Sequence, residues 1–372
     1  MNVKLLVALI SIAIGPLSGL AQETRLVIEA SLGETDRAEL GVVGSVAIAR
    51  GGDLIVVAEV RPIRVRVFDR SLRPLRQLGR EGSGPGEYRR PVVAANGDSA
   101  IVYDAGLGRV LVFSSTKGTL VDDWTTQIQF GARSEYRAWV TVDDRGSIVL
   151  HVGRLVNGRG PAEGYVRFGE HGRVRDTLFV TFNKSPTVNP LEGAGVFRTG
   201  DAGGYARARL RQYFPEPLHD MNGAHWVSWS GAGVDVLRGT SGTSATVNLP
   251  IVAPGRQQRD AREHRIMSAL TTQDIPEQEL RRHARESGVF EQVPILDGLA
   301  VDRSGRIWTW QEGRHPDSLV VAVIDAAGAL LTRLTLSRGQ WRARDMLGTD
   351  VVLAGADNAT GEPLLVRARL RR

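Results

Sequence analysis

Short apolar runs punctuated by glycine recur along most of the chain. Residues 46–57 set the form: Val46, Ala47, Ile48 and Ala49 run into Arg50, Gly51, Gly52 and Asp53, and Leu54, Ile55, Val56 and Val57 run out again. Residues 92–103 and 140–150 repeat it, and weaker copies stand at 220–226, 300–308 and 346–353. Glycine, asparagine and aspartate in the breaks tolerate the positive φ that tight antiparallel turns need. The β-branched residues on either side fit a pleated surface packed on both faces. A second pair of strands often closes the unit with an apolar segment ending in phenylalanine, as at 64–68, 109–113 and 165–168.

The turn glycines Gly52, Gly97, Gly146, Gly223, Gly305 and Gly348 serve as a ruler. The first two are 45 residues apart, and four strands at that spacing predict a propeller blade. The six anchors therefore predict an all-β, six-bladed β-propeller. The last unit stops at residues 363–370 with three strands, whereas residues 24–30 form an orphan strand at the start. That N-terminal strand is expected to complete the last blade and lock the ring. The interval between Gly146 and Gly223 is stretched to 77 residues and leaves room for a seventh blade between 183 and 215. The interval between Gly223 and Gly305 is 82 residues and holds a small helical insertion, about 255–290, before the fifth blade. There, 261–270 and 277–287 are charged and helix-favouring, and Asp274, Pro276 and Glu277 form an N-terminal capping signal.

Residues 79–88, rich in glycine and ending in Glu87 and Tyr88, are followed by the strand pair at 102–113. Together these segments resemble the exported bacterial six-bladed propellers related to NHL-repeat and TolB-like proteins. The resemblance is strongest over about residues 45–150 and returns at 299–310. It implies the fold and carries little about function, because one propeller scaffold hosts unrelated activities.

The first residues read as a secretory signal peptide of residues 1–21. Lys4 precedes an apolar run from Leu5 to Ile14, Gly15 and Pro16 end it, and Gly19 and Ala21 suit cleavage after Ala21. The run is short of the roughly 20 residues needed to span a bilayer, and no later segment is apolar enough to span. Residues 22–372 then form the propeller, in a periplasmic or secreted protein. Cysteine is absent, so there is neither a lipid-modified cysteine nor a disulfide. The net charge is +6, and the lysines are Lys4, Lys117 and Lys184 alone among the basic residues that are otherwise arginine. The arginines are interleaved with acids, so a nucleic-acid partner is not expected.

In a four-stranded meander, the turns joining strands one to two and three to four share one face. The loops joining strands two to three, and the crossings between blades, share the other. The tight glycine turns fall on the first face, and the crossing at 79–87, the loop at 155–163 and the helical insertion fall on the second. Long loops on a rigid scaffold are where binding sites usually sit. Arg89, Arg90, Glu135, Arg137, Glu216, Asp297, Arg342 and Arg344 would ring the mouth there, with Arg61, Arg64, Asp104, Arg109, Glu312, Arg314 and His315 nearby. Arginine's planar fork suits carboxylate or phosphate. The expected role is therefore recognition of an anionic small molecule or an acidic segment of a partner protein. Of these, Arg64, Arg89, Arg90, Asp104, Arg109, Arg137, Arg314, Arg342 and Arg344 are the candidate ligand-binding residues. Each arginine could instead pair with neighbouring acids and staple blades together.

Catalytic motifs are not found. Gly79 and Gly84 have phosphate-loop spacing, but Pro85 stands where the lysine belongs and removes an N–H. Glu81 and Glu87 read as ties to Arg80 or Arg89. The seven histidines are scattered singly, and the segments at 143–146 and 302–305 read as hairpin turns rather than calcium loops. No cofactor or metal is expected. Ser83 is not on a nucleophile elbow, and Trp226, Trp229, Trp308 and Trp310 read as packing between blades. A metal-dependent lactonase or lyase and a structural envelope protein remain the alternatives.

Overall fold

The computed structural model describes residues 25–32, 40–126, 139–143, 146–157, 160–180, 219–222, 225–229, 234–238, 243–247, 277–287, 298–302, 304–312, 318–325, 327–337, 343–356 and 363–371, with isolated helical residues between 256 and 268. The leader at 1–21 and the interval 183–215 lie outside the described residues.

Strand β1 (Arg25–Ser31) precedes a first sheet of β2 (Val42–Ala49), β3 (Leu54–Arg61), β4 (Ile63–Asp69) and β5 (Pro74–Leu78). Two dipeptides, β6 (Arg80–Glu81) and β7 (Glu87–Tyr88), pair in parallel on the way to the second sheet. That sheet is β8 (Pro91–Asn96), β9 (Ser99–Asp104), β10 (Arg109–Ser114) and β11 (Leu120–Thr125). The third is β12 (Trp139–Val142), β13 (Ile148–Asn157), β14 (Gly160–Phe168) and β15 (Val174–Val180). The fourth is β16 (His219–Asn222), β17 (His225–Trp229), β18 (Val234–Arg238) and β19 (Thr243–Val247). Helix α1 (Glu277–Ser287) precedes the fifth: β20 (Gly298–Val301), β21 (Ile307–Glu312), β22 (Ser318–Ile324) and β23 (Leu330–Ser337). The sixth is β24 (Ala343–Leu347), β25 (Asp350–Ala356) and β26 (Pro363–Arg371), with β1 as its outer strand.

Each four-stranded sheet is an antiparallel meander. The first strands touch in succession, β24 beside β2, then β2, β8, β12, β16 and β20. One apolar cluster, including Trp308, Trp310, Met346 and Leu353, joins the fifth and sixth sheets. The arrangement is a β-propeller, its sheets set radially with their first strands innermost.

The core is a series of layers between neighbouring sheets, which explains why the strands read as nearly unbroken apolar runs. Along β3, Leu54, Val56 and Ala58 pack with Val93, Val102 and Leu111 of the second sheet. Their neighbours Ile55 and Val57 face the other way, onto Val352, Ala354 and Leu365 of the sixth. A strand with two buried faces has no polar side to alternate with. The tryptophans at 308 and 310 are buried in this packing, and nothing is described of the side chains of Trp226 and Trp229.

Gly97 and Gly348 adopt φ of 55° and 60° in two-residue turns that join Asn96 to Ser99 and Leu347 to Asp350. The turns at 143–147 and 302–306 are longer and are closed by aspartate. Asp302 Oδ1 accepts from the Ser304 and Arg306 amides at 2.9 Å each, and its other oxygen accepts from Arg306 Nε and Trp308 Nε1. Asp143 Oδ1 accepts from the Ser147 amide at 2.8 Å. These carboxylates hold hairpins together, as the sequence suggests.

One expectation needs correction. The segment 155–163 is not a loop but the end of a long hairpin, paired from Gly153 opposite Gly164 to Asn157 opposite Gly160. Its glycines and Pro161 suggest a loop, yet backbone pairing needs no particular side chain. The hairpin overshoots the inner strand β12, whose partner register stops at His151.

The sixth sheet is closed by charge as well as by backbone. Arg367, 2% exposed, reaches Glu29 of β1 at 2.7 Å and Asp350 of β25 at 2.5 Å. Arg369 and Arg371 add contacts to Asp350 and Glu29 at 3.0 Å each. In the insertion, Leu280, Ala284 and Met267 are buried, and Arg281 bridges Glu277 and Glu263 on the outer side.

Candidate ligand-binding face

The crossing from the first sheet to the second is a loop folded around its own carboxylate. Glu87 Oε2 accepts from the amides of Ser83 at 2.9 Å and Gly84 at 2.6 Å, and Oε1 accepts from Arg80 Nε at 2.7 Å. The Gly84 amide and Arg80 lower the carboxyl below its usual range. Gly82, at φ +155°, holds a conformation that side chains rarely adopt, and a Cβ there would push the Glu87 carboxylate aside. The amides a phosphate would use are thus taken by an internal anion. Tyr88 anchors the end of the loop: its hydroxyl donates to the Leu78 carbonyl at 2.7 Å and accepts from the Val65 amide at 2.8 Å. Burial pushes this phenol up to about 12.

Arg89 and Arg90 follow, directly before the inner strand β8. Their backbone is fixed by Asp104, at the end of β9. Asp104 Oδ2 accepts from the Arg89 amide at 2.6 Å. Its Oδ1 accepts from the amides of Arg90 at 3.1 Å, Gly106 at 2.7 Å and Leu107 at 3.2 Å. The Ala105 amide donates back to the Arg90 carbonyl at 3.1 Å. Crossing and turn are therefore knotted by one carboxylate, and the side chains of Arg89 and Arg90 stand exposed above it.

Asp104 is fully buried, and through these bonds it positions the backbone of the two arginines. The run Asp104, Ala105, Gly106, Leu107, Gly108 carries the signal, because an aspartate before such a turn commonly caps it. Asp104→Ala would leave four amides without their acceptor. We expect a loss of about 2–4 kcal/mol, read as a lower urea midpoint.

The neighbouring turn, between β3 and β4, carries Arg61 and Arg64. Arg61 is exposed. Arg64 turns inward, with Nε 2.9 Å and Nη2 2.8 Å from Glu59 Oε2. The same carboxylate, fully buried, takes Arg66 Nε at 2.5 Å and the Gly41 amide at 2.6 Å. Glu59 was not among the candidates, although a lone acid inside the apolar strand β3 is a signal in itself. Arg109 is engaged too: it pairs with Asp123 and donates through Nη1 to the Gly84 carbonyl at 2.7 Å. Arg64 and Arg109 thus staple the fold rather than face outward. Arg344 stands on the inner strand β24. Arg137, Arg314, Arg342, Glu135, Glu216, Asp297 and His315 lie outside the described residues, and of Glu312 only its place in β21 is described.

A divalent ion needs converging ligands. Glu59 and Asp104, the buried acids of this face, are already held by arginines and amides. Among the described residues no three histidine, cysteine, aspartate or glutamate side chains come together. No helix among the described residues is long and apolar enough to cross a membrane.

No protein-family model matches the chain, and no curated protein matches it in sequence. Among solved structures, a Bacteroides fragilis protein named only by its inferred export aligns over 96% of this chain and 98% of its own, at 12% identity and a TM-score of 0.52. That likeness is one of fold. A Xanthomonas campestris gluconolactonase aligns over 94% and 90%, at 11% identity and a TM-score of 0.44. The calcium-binding protein regucalcin of Agrobacterium tumefaciens aligns over 89% and 92%, at 9% and 0.42. At those scores neither bears on activity.

Proposed function

We propose that this chain is an exported, six-bladed propeller that recognises an anionic ligand, or an acidic segment of a partner protein, on the face carrying Arg89 and Arg90. The six four-stranded sheets and their touching inner strands support the blade count. The leader-like residues 1–21 and the fold shared with the Bacteroides fragilis protein support export. The observation that carries the binding reading is the clamp at Asp104. A buried carboxylate uses both oxygens to hold the backbone of two adjacent arginines whose side chains stay exposed. A fixed backbone lowers the entropy lost when the guanidinium groups close on a carboxylate or phosphate. Arg61, exposed on the turn between β3 and β4, would extend the same charge.

The test is calorimetric titration with a polyglutamate peptide and with inorganic pyrophosphate. Arg89→Glu with Arg90→Glu is expected to weaken binding at least ~30-fold, about 2 kcal/mol, with an unchanged urea midpoint. Equal binding by this variant and the parent would overturn the reading.

A further inference from the structure

The face opposite Arg89 and Arg90 has an outer margin built by one repeated device. In four sheets a buried side chain at or one residue before the end of the third strand, Phe68, Phe113, Phe168 or Ile324, stands opposite the first residue of the fourth strand. In each, the register then skips one residue: Leu75, Val121, Arg175 and Leu331. Such a bulge re-aims the side chains around it. The result is a set of large apolar side chains held in solvent, namely Leu75, Leu120, Val121, Val174 and Leu330, with Val121 66% exposed.

Beside them stand the exposed cations Arg73, Lys117 and Arg173. Of the acids on and beside these turns, Asp69, Asp98, Asp122, Asp176 and Asp325 have partners within the chain, and Glu170 also stands in the third turn. Asp69 Oδ1 accepts from the Ser71 and Arg73 amides, and Asp325 Oδ1 from those of Ala327 and Ala329. Asp98 is held by Ser114, Ser115 and Thr116. Asp122 faces His171 at 3.1 Å, and Asp176 faces Arg167 at 2.7 Å. The turns also abut the preceding sheet, Gly118 against Arg76 and Leu78, and Gly172 against Trp124. Apolar groups and cations therefore form one band across the first three sheets.

We propose that this margin docks on a membrane surface rich in anionic headgroups. The apolar side chains would enter the interfacial layer, and Arg73, Lys117 and Arg173 would pair with the headgroups. A second copy of the chain fits less well, since it would bring like charges together. Exposed apolar side chains interspersed with cations match a lipid interface better than a packed protein core.

Co-sedimentation tests this with the chain from residue 22 onward, which contains every described strand. Vesicles of phosphatidylcholine containing phosphatidylglycerol are compared with vesicles of phosphatidylcholine alone. The chain is expected to bind the anionic vesicles at least ~10-fold more tightly. Leu75→Ser with Val121→Ser and Val174→Ser, and separately Arg73→Glu with Lys117→Glu and Arg173→Glu, should abolish that preference. Lys117→Glu alone, on an exposed turn, should weaken it at least about fivefold, the effect of losing one basic residue near an anionic surface, and guards against misfolding of the triple variants. Arg89→Glu with Arg90→Glu should leave it intact, so the two faces are tested independently. Equal binding to both vesicles, no binding at all, or full binding by the margin variants would overturn the proposal.

Discussion

Arg367→Ala is expected to destabilise the protein by about 3–5 kcal/mol. The guanidinium is buried between Glu29 and Asp350, on the two strands that flank its own. Removing it takes from both carboxylates their one buried cation and leaves them to the more exposed Arg369 and Arg371. Urea denaturation reads the loss as a lower midpoint. A companion pH series isolates the electrostatic part. Burial raises the Glu29 carboxyl, but the bond from Arg371 and the charges of Arg369, Arg367 and Arg371 outweigh it and hold it below its ordinary 4.5. The unfolded chain therefore takes up that proton more readily than the folded one. The contribution of Glu29 is fully present above its ordinary value and fades as pH falls through the lower folded value. In Arg367→Ala that acid-side decline should be shallower, and an unchanged pH profile would remove Arg367 from the account.

Glu59→Ala should cost a similar ~3–5 kcal/mol. The acid is fully buried among Arg64, Arg66 and the Gly41 amide. Its removal leaves Arg66, itself 8% exposed and lying 4.9 Å over the Phe68 ring, without the carboxylate it faces. Glu59→Met combined with Arg66→Met should recover much of the loss, because an apolar pair of similar volume avoids desolvating either charge. If the double variant is no more stable than Glu59→Ala, backbone distortion at Gly41 rather than a stranded charge explains the cost.

These two arginine clusters also mark the limit of what the chain discloses before folding. The blades are legible because inner strands such as β3 and β9 are apolar on both faces, and the positive-φ glycines at 97 and 348 mark their turns. Closure is legible because residues 24–30 have strand character and no neighbour in sequence. The long hairpin at 153–164 is not, since glycine and proline mask a pairing made entirely by backbone. At the candidate face, the excess of arginine is visible but its division is not. Arg64 and Arg109 lie as close to loops as Arg89 and Arg90 do. Which of them turns inward depends on an acid brought alongside by strand register, Glu59 for one and Asp123 for the other. The partners of Asp104 are hidden for a related reason: a carboxylate beside arginines suggests side-chain pairing, whereas the bonds it accepts come from amides.

The strand that closes the sixth sheet also sets the order of assembly. Glu29 and Arg367 are 338 residues apart in sequence, so their contact closes almost the longest loop the chain can form. Strand β1 leaves the ribosome ahead of every blade and cannot pair until the last has been made. During that wait its apolar side chains at Val27 and Ile28, still exposed in the finished ring, face whatever lies nearby. An unpaired strand is a template for the wrong partner. The acid and arginines that later fasten the seam keep both strands charged in the meantime, so one set of side chains protects the open chain and latches the closed one.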